Sequence, residues 1–344
     1  MINVGIAGAS GYTGAELVKL ISNHPGANLC AVTSNSYKGK ALTDIFPSMQ
    51  GFENLICEDL DIPSLAQKVD LIFLALPHKV SMQHVPAFLE HNIKVIDLSA
   101  DYRFTDAAAY ESAYQEHTSK HLLKQSVYGL SEIYRDQIKQ TNLVGNPGCY
   151  PTSILLPLLP LLNKKLIKPD GIISDSKSGV SGAGRSLSLT THFCEVNESF
   201  MPYKVGSHRH TPEINEILNF HSKQKNSITF VPHLLPITRG MLSTIYVRAT
   251  NGVTEDKIRK TLLAAYGNEA FVKILDKNIY PAISHVRGTN RCDIGFHFAE
   301  RTKEIILVLA IDNLLTAAAG QTIHTMYLLF GFNVESGLNS FQGH

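Results

Sequence analysis

Three stretches of this chain carry residue types and spacings able to do chemistry. The first is Asn146-Pro147-Gly148-Cys149-Tyr150-Pro151-Thr152, which follows the strand-like segment 142–145 and opens an apolar helical run. Pro151 suits a first helical turn, where its missing N–H costs nothing. That places Cys149 at a helix N-terminus, where the macrodipole favours a thiolate and lowers its pKa. A buried structural cysteine is the ordinary alternative; the Pro-Gly flank and the strand–helix junction favour a nucleophile. Pro157 is expected to kink or shorten the helix that follows.

The second stretch, Ser207-His208-Arg209-His210-Thr211-Pro212-Glu213, sets two histidines about an arginine just before a helix. It offers a general acid/base and a cation for an anionic leaving group. The third is Gly8-Ala9-Ser10-Gly11-Tyr12-Thr13-Gly14, between the first strand and the first helix. Small residues there let the backbone approach a pyrophosphate whose charge rests on the helix N-terminus, and Ser10 and Thr13 add hydroxyls. Glycines also occur at such turns for conformational reasons alone; the place in a first βαβ unit gives this one weight. An NAD site uses an acid about 20 residues on. No Asp or Glu lies between Glu16 and Asp44, and Ser34, Ser36 and Lys38 stand at the end of the second strand. That suits the 2′-phosphate of NADP, against the plain reading of a polar loop. Hydride cannot readily reduce a carboxylate, but it can reduce a thioester, so a thiol beside a nicotinamide predicts an acyl-enzyme.

These residues need a scaffold. Strand candidates at 3–7, 28–33, 70–76, 94–98 and 142–145, with helical patterns at 12–23 and 80–91, indicate βαβ units and a doubly wound parallel sheet. Beyond about residue 150 the rhythm changes. Strand candidates at 171–174, 227–232, 241–248, 293–299 and 304–311, with helices at 212–221 and 254–266, predict an α+β domain on a mixed or antiparallel sheet. A final helix is expected over 313–330, folded back on the first domain. A chain of 344 residues suits two domains.

Composition excludes several classes. With 31 Lys plus Arg against 30 Asp plus Glu, the chain has no electrostatic footprint for nucleic acid. Its apolar runs fall short of the roughly 20 residues that span a bilayer. The N-terminus reads as a strand rather than a signal peptide, so a cytoplasmic location is expected. Five cysteines at irregular spacing fit neither a disulfide framework nor a zinc site. Cys30, Cys57, Cys194 and Cys292 are expected to be packing residues. No metal is expected, because His208 and His210 lack a convincing third ligand.

Taken with the segments 8–17, 98–104, 178–185, 230–240 and 312–320, the blocks at 145–152 and 208–214 resemble the N-acetyl-gamma-glutamyl-phosphate reductase family. That family lies within the wider aspartate-semialdehyde dehydrogenase group, and the resemblance covers nearly the whole chain. It implies an α/β fold, with a Rossmann-type doubly wound sheet plus an α+β catalytic and dimerisation domain with a mixed sheet. Residues 1–148 would bind NADP(H), completed by the C-terminal helix 313–344, and 149–312 would hold the catalytic and oligomerisation domain. The reaction implied is NADPH-dependent reduction of N-acetyl-L-glutamyl 5-phosphate to the semialdehyde, releasing inorganic phosphate, in arginine biosynthesis. Cys149 matches the nucleophile and His208 the acid/base, with His210 close enough to dispute that role. Arg103 matches an arginine near the substrate phosphate; Arg185 and Glu213 are further substrate candidates. Arg103 or Arg185 could equally form a structural ion pair. Ser178, Gly179 and Asn313 should approach the cofactor, with Pro77 and His78 lining the nicotinamide side. Ser153 stands where the family leads one to expect Ala or Gly. A homodimer or homotetramer is implied. The rivals are a reductase of aspartyl or aminoadipyl phosphate, since one methylene discriminates by only ~1–3 kcal/mol, and a non-catalytic NADP-binding sensor.

Overall fold

Apolar strands alternate with helices from the N-terminus onward, and in the computed structural model, which describes residues 1–334 with 337 and 338, they form a parallel sheet. Its strands are β1 (Ile2–Ala7), β2 (Ala27–Thr33), β3 (Cys57–Glu58), β4 (Leu71–Leu74), β5 (Lys94–Asp97), β6 (Val127–Tyr128) and β7 (Leu143–Gly145). They lie in the order β3-β2-β1-β4-β5-β7-β6, every pairing parallel. The order reverses between β1 and β4, the mark of a doubly wound sheet. Ile72, Phe73, Leu74, Val95 and Ile96 are fully buried, as strands covered on both faces require. Helix α1 (Tyr12–Ser22) buries Leu17, Val18 and Ile21, and α2 (Ser81–Glu90) buries Met82, Val85 and Phe88. The start of α2 is fixed from a distance. Asp101 Oδ1 accepts the Lys79 N–H at 2.8 Å and Oδ2 the Met82 N–H at 3.1 Å.

This unit comprises Met1–Pro147 and the segment beginning at Ala318. The C-terminal helix Gly320–Phe330 is buried from Gly320 to Leu329. Gln321 Nε2 donates to Glu132 Oε2 at 3.1 Å, and the Ser131 and Thr325 hydroxyls lie 3.0 Å apart. Burial opposes the Glu132 charge, but His324 and Gln321 outweigh it and hold the carboxyl below the usual range. The helix expected over 313–330 starts late. A π-helical turn spans Leu315–Ala319, and Asn313 lies outside the helix because Asp312 Oδ1 accepts the Leu314 and Leu315 N–H groups at 2.8 and 3.1 Å. Within the expected segment 313–344, residues 335, 336 and 339–344 lie outside the described residues.

The second unit, Gly148–Ala317, is built on a mixed sheet. Its strands are β8 (Ile173–Gly179), β9 (Met201–Pro202), β10 (Thr229–Leu235), β11 (Met241–Arg248), β12 (Val272–Ile274), β13 (Cys292–Ala299) and β14 (Glu304–Ile311). They run β12-β13-β14-β11-β8-β10-β9, with only β8–β10 and β12–β13 parallel. Burial alternates along β11: Met241, Ser243, Ile245 and Val247 are buried, and Tyr246 and Arg248 are exposed. Helix α3 (Cys149–Asn163) packs on β11 and β14, with α4 (His210–Ser222) and α5 (Glu255–Tyr266) against it.

Two expectations need correction here. Pro157 does not shorten α3, which runs on through Pro160 to Asn163. Every residue from Tyr150 to Leu162 is buried, and that packing offsets the roughly 3 kcal/mol an interior proline costs. The strand expected at 171–174 is displaced: β8 runs to Gly179, with Ser174, Ser176 and Ser178 turned inward. Serine scores poorly as a strand former, but here each inward hydroxyl has a partner.

Candidate active site

The glycine turn of the first unit is built around two constrained glycines. Gly8 leaves β1 at φ +86°, and a Cβ there would strike the Ala75 carbonyl. A Cβ on Gly14 would lie 2.7 Å from Ala9 Cα, so strand and helix approach too closely for any side chain. Gly11 differs, because a Cβ on it would meet only Gly8 O at 3.5 Å. It caps α1 at φ −80° and ψ 165° without a side-chain bond, and no acid stands in the first turn. An uncapped helix start with room before it fits the pyrophosphate of a dinucleotide.

The turn is tied to β2. Gly8 N and Ala9 N both donate to Thr33 O, at 3.0 and 3.1 Å, and the Ser10 and Ser34 hydroxyls lie 2.8 Å apart. Tyr12 is exposed and Thr13 half-buried. Ser36 and Lys38 are exposed, and Lys38 is ion-paired with Asp59. The cation beyond β2 therefore shares its charge with an acid from beyond β3, which the end of β2 alone does not reveal. Pro77 is exposed, while His78 Nδ1 accepts the Ala100 N–H at 2.9 Å. Arg103 is buried, donating through Nε to Asn146 O at 2.6 Å and through Nη2 to Leu98 O at 2.8 Å. Those bonds cross-link the chain after β5 to the chain after β7.

The thiol centre belongs to the second unit. Gly148 caps α3 in extended conformation (φ −68°, ψ 156°), again without a side-chain bond or an acid in the first turn. Its N–H donates to Glu213 Oε1 at 2.9 Å, and Glu213 is fully buried on the first turn of α4. Glu213 thus braces the loop that precedes Cys149. Cys149, half-buried, is the first helical residue. His208 Nδ1 accepts the His210 N–H at 3.1 Å, so a neutral His208 ring carries its proton on Nε2. Burial, then the Lys204 and Arg209 charges, push the His208 pKa down to about 3. The ring is neutral at physiological pH and presents Nε2–H as a donor.

Four rings pack about His208: Tyr150, Tyr203, Phe230 and His210, at centroid distances of 5.4, 5.5, 5.3 and 4.9 Å. Tyr203 OH donates to Tyr150 OH at 3.1 Å, and Tyr150 OH donates to His233 O at 3.4 Å. Burial first, with the Cys149 charge adding, pushes Tyr203 up to about 12 and raises Tyr150 further. The sequence reading quoted Tyr150 without a role and missed Tyr203. A tyrosine adjoining the cysteine and another five residues before His208 were the available signals.

Ser178 is buried, its hydroxyl on Gly179 O at 3.0 Å, and a Cβ on Gly179 would lie 2.8 Å from Thr238 O. Asn313 bridges two loops: Oδ1 accepts Gly240 N–H at 2.7 Å and Nδ2 donates to Ser181 Oγ at 2.9 Å. Arg185 is exposed, on the surface segment 182–190. Cys194 is also exposed, which corrects its expected packing role. Cys57 and Cys292 are buried, and no disulfide joins any of the five. Among the described residues no cluster of ligands could hold a metal, and no helix is long and apolar enough to cross a membrane.

Comparison with known proteins agrees across the whole length. A family model described as "Semialdehyde dehydrogenase, NAD binding domain" matches residues 3–141, and one described as "Semialdehyde dehydrogenase, dimerisation domain" matches 149–313. The N-acetyl-gamma-glutamyl-phosphate reductase of Desulforapulum autotrophicum is 60% identical over 100% of this chain and 99% of that protein. The protein of the same name from Desulfotalea psychrophila is 50% identical, covering 98% of each. Among solved structures, aspartate semialdehyde dehydrogenase II complexed with ASA from Vibrio cholerae has a TM-score of 0.74 at 14% identity, covering 96% of this chain and 98% of that one. Aspartate semialdehyde dehydrogenase with NADP from Candida albicans has a TM-score of 0.71 at 16% identity, covering 97% and 99%. With both domain models matched and an uncapped thiol at the start of α3, this chain belongs to the N-acetyl-gamma-glutamyl-phosphate reductase family of semialdehyde dehydrogenases, a family of oxidoreductases.

Proposed function

We propose that this chain reduces N-acetyl-L-glutamyl 5-phosphate to N-acetyl-L-glutamate 5-semialdehyde through a Cys149 thioester, in arginine biosynthesis. The observation that carries the reading is Cys149 as the first residue of an uncapped helix; the neutral His208, whose ring packs on the adjoining Tyr150, presents Nε2–H. The Cys149 sulfur attacks the acyl carbonyl. Its S–C bond forms, and phosphate leaves with the electron pair of the C–O bond and takes up a proton. A bound nicotinamide supplies the hydride that reduces the thioester carbonyl. N–H groups at the start of α3 and His208 Nε2–H hold the oxyanion of the thiohemiacetal. Collapse of that oxyanion re-forms a carbonyl as the aldehyde and expels the Cys149 thiolate.

Gly8, Ser10, Gly11, Tyr12, Thr13 and Gly14 would hold the dinucleotide. Ser34, Ser36 and Lys38 would receive the 2′-phosphate of NADP. Ser178, Gly179, Asn313 and Pro77 are assigned to the cofactor, and Arg103, Arg185, His210 and Glu213 to the substrate. For Arg103 and Glu213 the main-chain bonds described above support a bracing role as well. The second unit's open sheet face exposes Ile173 and Tyr246. Together with the dimerisation family model, that face supports a homodimer or homotetramer.

The test is steady-state oxidation in the presence of phosphate, comparing N-acetylglutamate semialdehyde, aspartate semialdehyde and the aminoadipate analogue. The acetylglutamyl compound should have the highest kcat/KM by at least about tenfold, or ~1.4 kcal/mol. Parity with either competitor overturns the substrate assignment. No turnover with any of the three favours a sensor and overturns the reductase reading.

A further inference from the structure

We propose that Ser153 is a positioning residue for the Cys149 thiolate, acting through a one-way chain of buried hydroxyls that ends in the first turn of α3. The proposal rests on the reading of Cys149 as nucleophile. Ser153, Ser174, Ser176 and Ser243 are all fully buried. Ser174 and Ser176 share the inward face of β8, and Ser243 faces Ser176 across the antiparallel β8–β11 pair. The hydroxyls form a row: Ser174 to Ser176 at 3.0 Å, Ser176 to Ser243 at 2.7 Å, and Ser243 to Ser153 at 2.7 Å. Ser153 Oγ donates to Tyr150 O at 2.9 Å.

Proton counting fixes the direction. A serine hydroxyl has one hydrogen to give. Ser153 gives its hydrogen to Tyr150 O, so the hydrogen in the Ser153–Ser243 bond comes from Ser243. The hydrogen between Ser243 and Ser176 then comes from Ser176, and the next from Ser174. Every O–H dipole therefore points its positive end toward the start of α3, the sense in which the helix macrodipole already points. Hydrogen bonds aligned in a chain polarise one another. Ser153 stands four residues after Cys149, on the same helix face one turn on.

The chain calls for a role because alanine would fill these places more simply. A buried hydroxyl left without a partner costs about 1–3 kcal/mol, and Ser153, with Thr152, stands at the head of a helix body that is apolar from Ile154 to Leu162. Here the hydroxyls hold the carbonyl of Tyr150, whose ring packs on His208. They also add to the field that favours the thiolate beside it.

The experiment follows carbamidomethylation of Cys149 by iodoacetamide as a function of pH, by peptide mass, alongside kcat and KM, in Ser153→Ala, Ser243→Ala, Ser174→Ala and the Ser153→Ala/Ser243→Ala double variant. Ser153→Ala should raise the pH midpoint of alkylation by about half a unit and lower kcat about five- to tenfold, with KM for NADPH unchanged. Ser243→Ala should do nearly the same from the strand side, which keeps the test intact should Ser153→Ala fold poorly. Ser174→Ala, at the far end, strands no donor and should move the midpoint least. The double variant should match Ser153→Ala, because the chain is already cut. An unmoved midpoint in folded Ser153→Ala and Ser243→Ala, or an equal shift in Ser174→Ala, overturns the proposal. Alkylation needs no substrate, so a wild-type protein inactive on acyl phosphates would refute the reductase reading and leave this test standing.

Discussion

Helices α1 and α3 begin alike and end up with different work. Each follows a strand of the parallel sheet, is capped by a glycine in extended conformation, has no side-chain cap, and carries no acid in its first turn. Each thereby forgoes the ~1 kcal/mol that a Ser or Asp cap supplies. What differs is the first side chain and the surroundings. At α1 the turn residues before Tyr12 are small, and Gly8 and Gly14 draw strand and helix together until no Cβ fits. At α3 a thiol stands first, a buried glutamate engages the capping N–H, and the whole helix body is buried. A bare helix start is a positive terminus. Kept open, it suits an anion from outside; with a cysteine on it, the same terminus favours a thiolate.

The comparison breaks most sharply at Cys149. Cys149→Ser keeps the size but lacks a thiolate near neutral pH. It should lose at least about 10³-fold in turnover, or ~4 kcal/mol of barrier, while still binding NADPH. Mass spectrometry of enzyme mixed with acyl phosphate and no NADPH should show an acyl group on the Cys149 peptide, absent from the serine variant. A fully active serine variant would remove the distinction between the two helix starts.

Next in size comes His208, whose ring packs on Tyr150, the residue after Cys149. His208→Asn should lose about 10²-fold in kcat, measured at saturating substrate. The same variant tests the ring's burial. The folded pKa of His208, about 3, lies below the usual ~6.5, so between those values the unfolded chain binds more protons. The neutral ring's contribution to stability is therefore present above about 6.5 and lost as pH falls toward 3. Thermal melts should show wild type losing more stability than His208→Asn between pH 7 and pH 4; parallel curves would mean the ring is not buried neutral.

At the other helix start, Gly14→Ala introduces a Cβ 2.7 Å from Ala9 Cα. Overpacking of this kind costs about 1–3 kcal/mol, so cofactor affinity should fall about tenfold or more by fluorescence titration. Iodoacetamide reactivity of Cys149 should be unchanged. A loss of thiol reactivity in Gly14→Ala would show that the two termini are not independent devices.

The smallest effect concerns cofactor choice. NADPH should exceed NADH in kcat/KM by at least about tenfold, and Lys38→Ala should narrow that ratio only about two- to threefold. Its pairing with Asp59 and its exposure keep the cation's share small, as for exposed ion pairs generally. Equal rates with both cofactors would defeat the argument from the missing acid at the end of β2.

Much of this was legible because chemistry and period coincide in the chain. The apolar run at 71–74 reads as a strand covered on both faces, and the glycines at 8, 11 and 14 read as the turn between the first strand and the first helix. β11 and β14 were readable to the residue: β11 alternates in burial, and β14 is an unbroken apolar run after Glu304. Elements held by distant partners were not. β3 and β6 are two residues long and exist only by pairing with β2 and β7. β8 was misplaced because its inward residues are serines, whose suitability depends on Ser243 and Ser153. Asn313 was read as helical because Asp312, which ends the preceding strand and caps the turn, looks like any acid in a sequence.

By itself, then, the sequence determined the alternation of the main strands and helices, the glycine turn, a cysteine at one helix start and a histidine pair at another. These depend on spacing and residue type within one turn or one strand. Tertiary structure alone decided the rest: that Glu213 holds Gly148, that Tyr203 meets Tyr150, that His208 is neutral with its proton on Nε2, and that four serines point one way. Glu213 with Gly148, Tyr203 with Tyr150 and Ser153 with Ser243 are far apart in the chain, and hydrogen-bond direction and desolvation take their values only when the partners are in place.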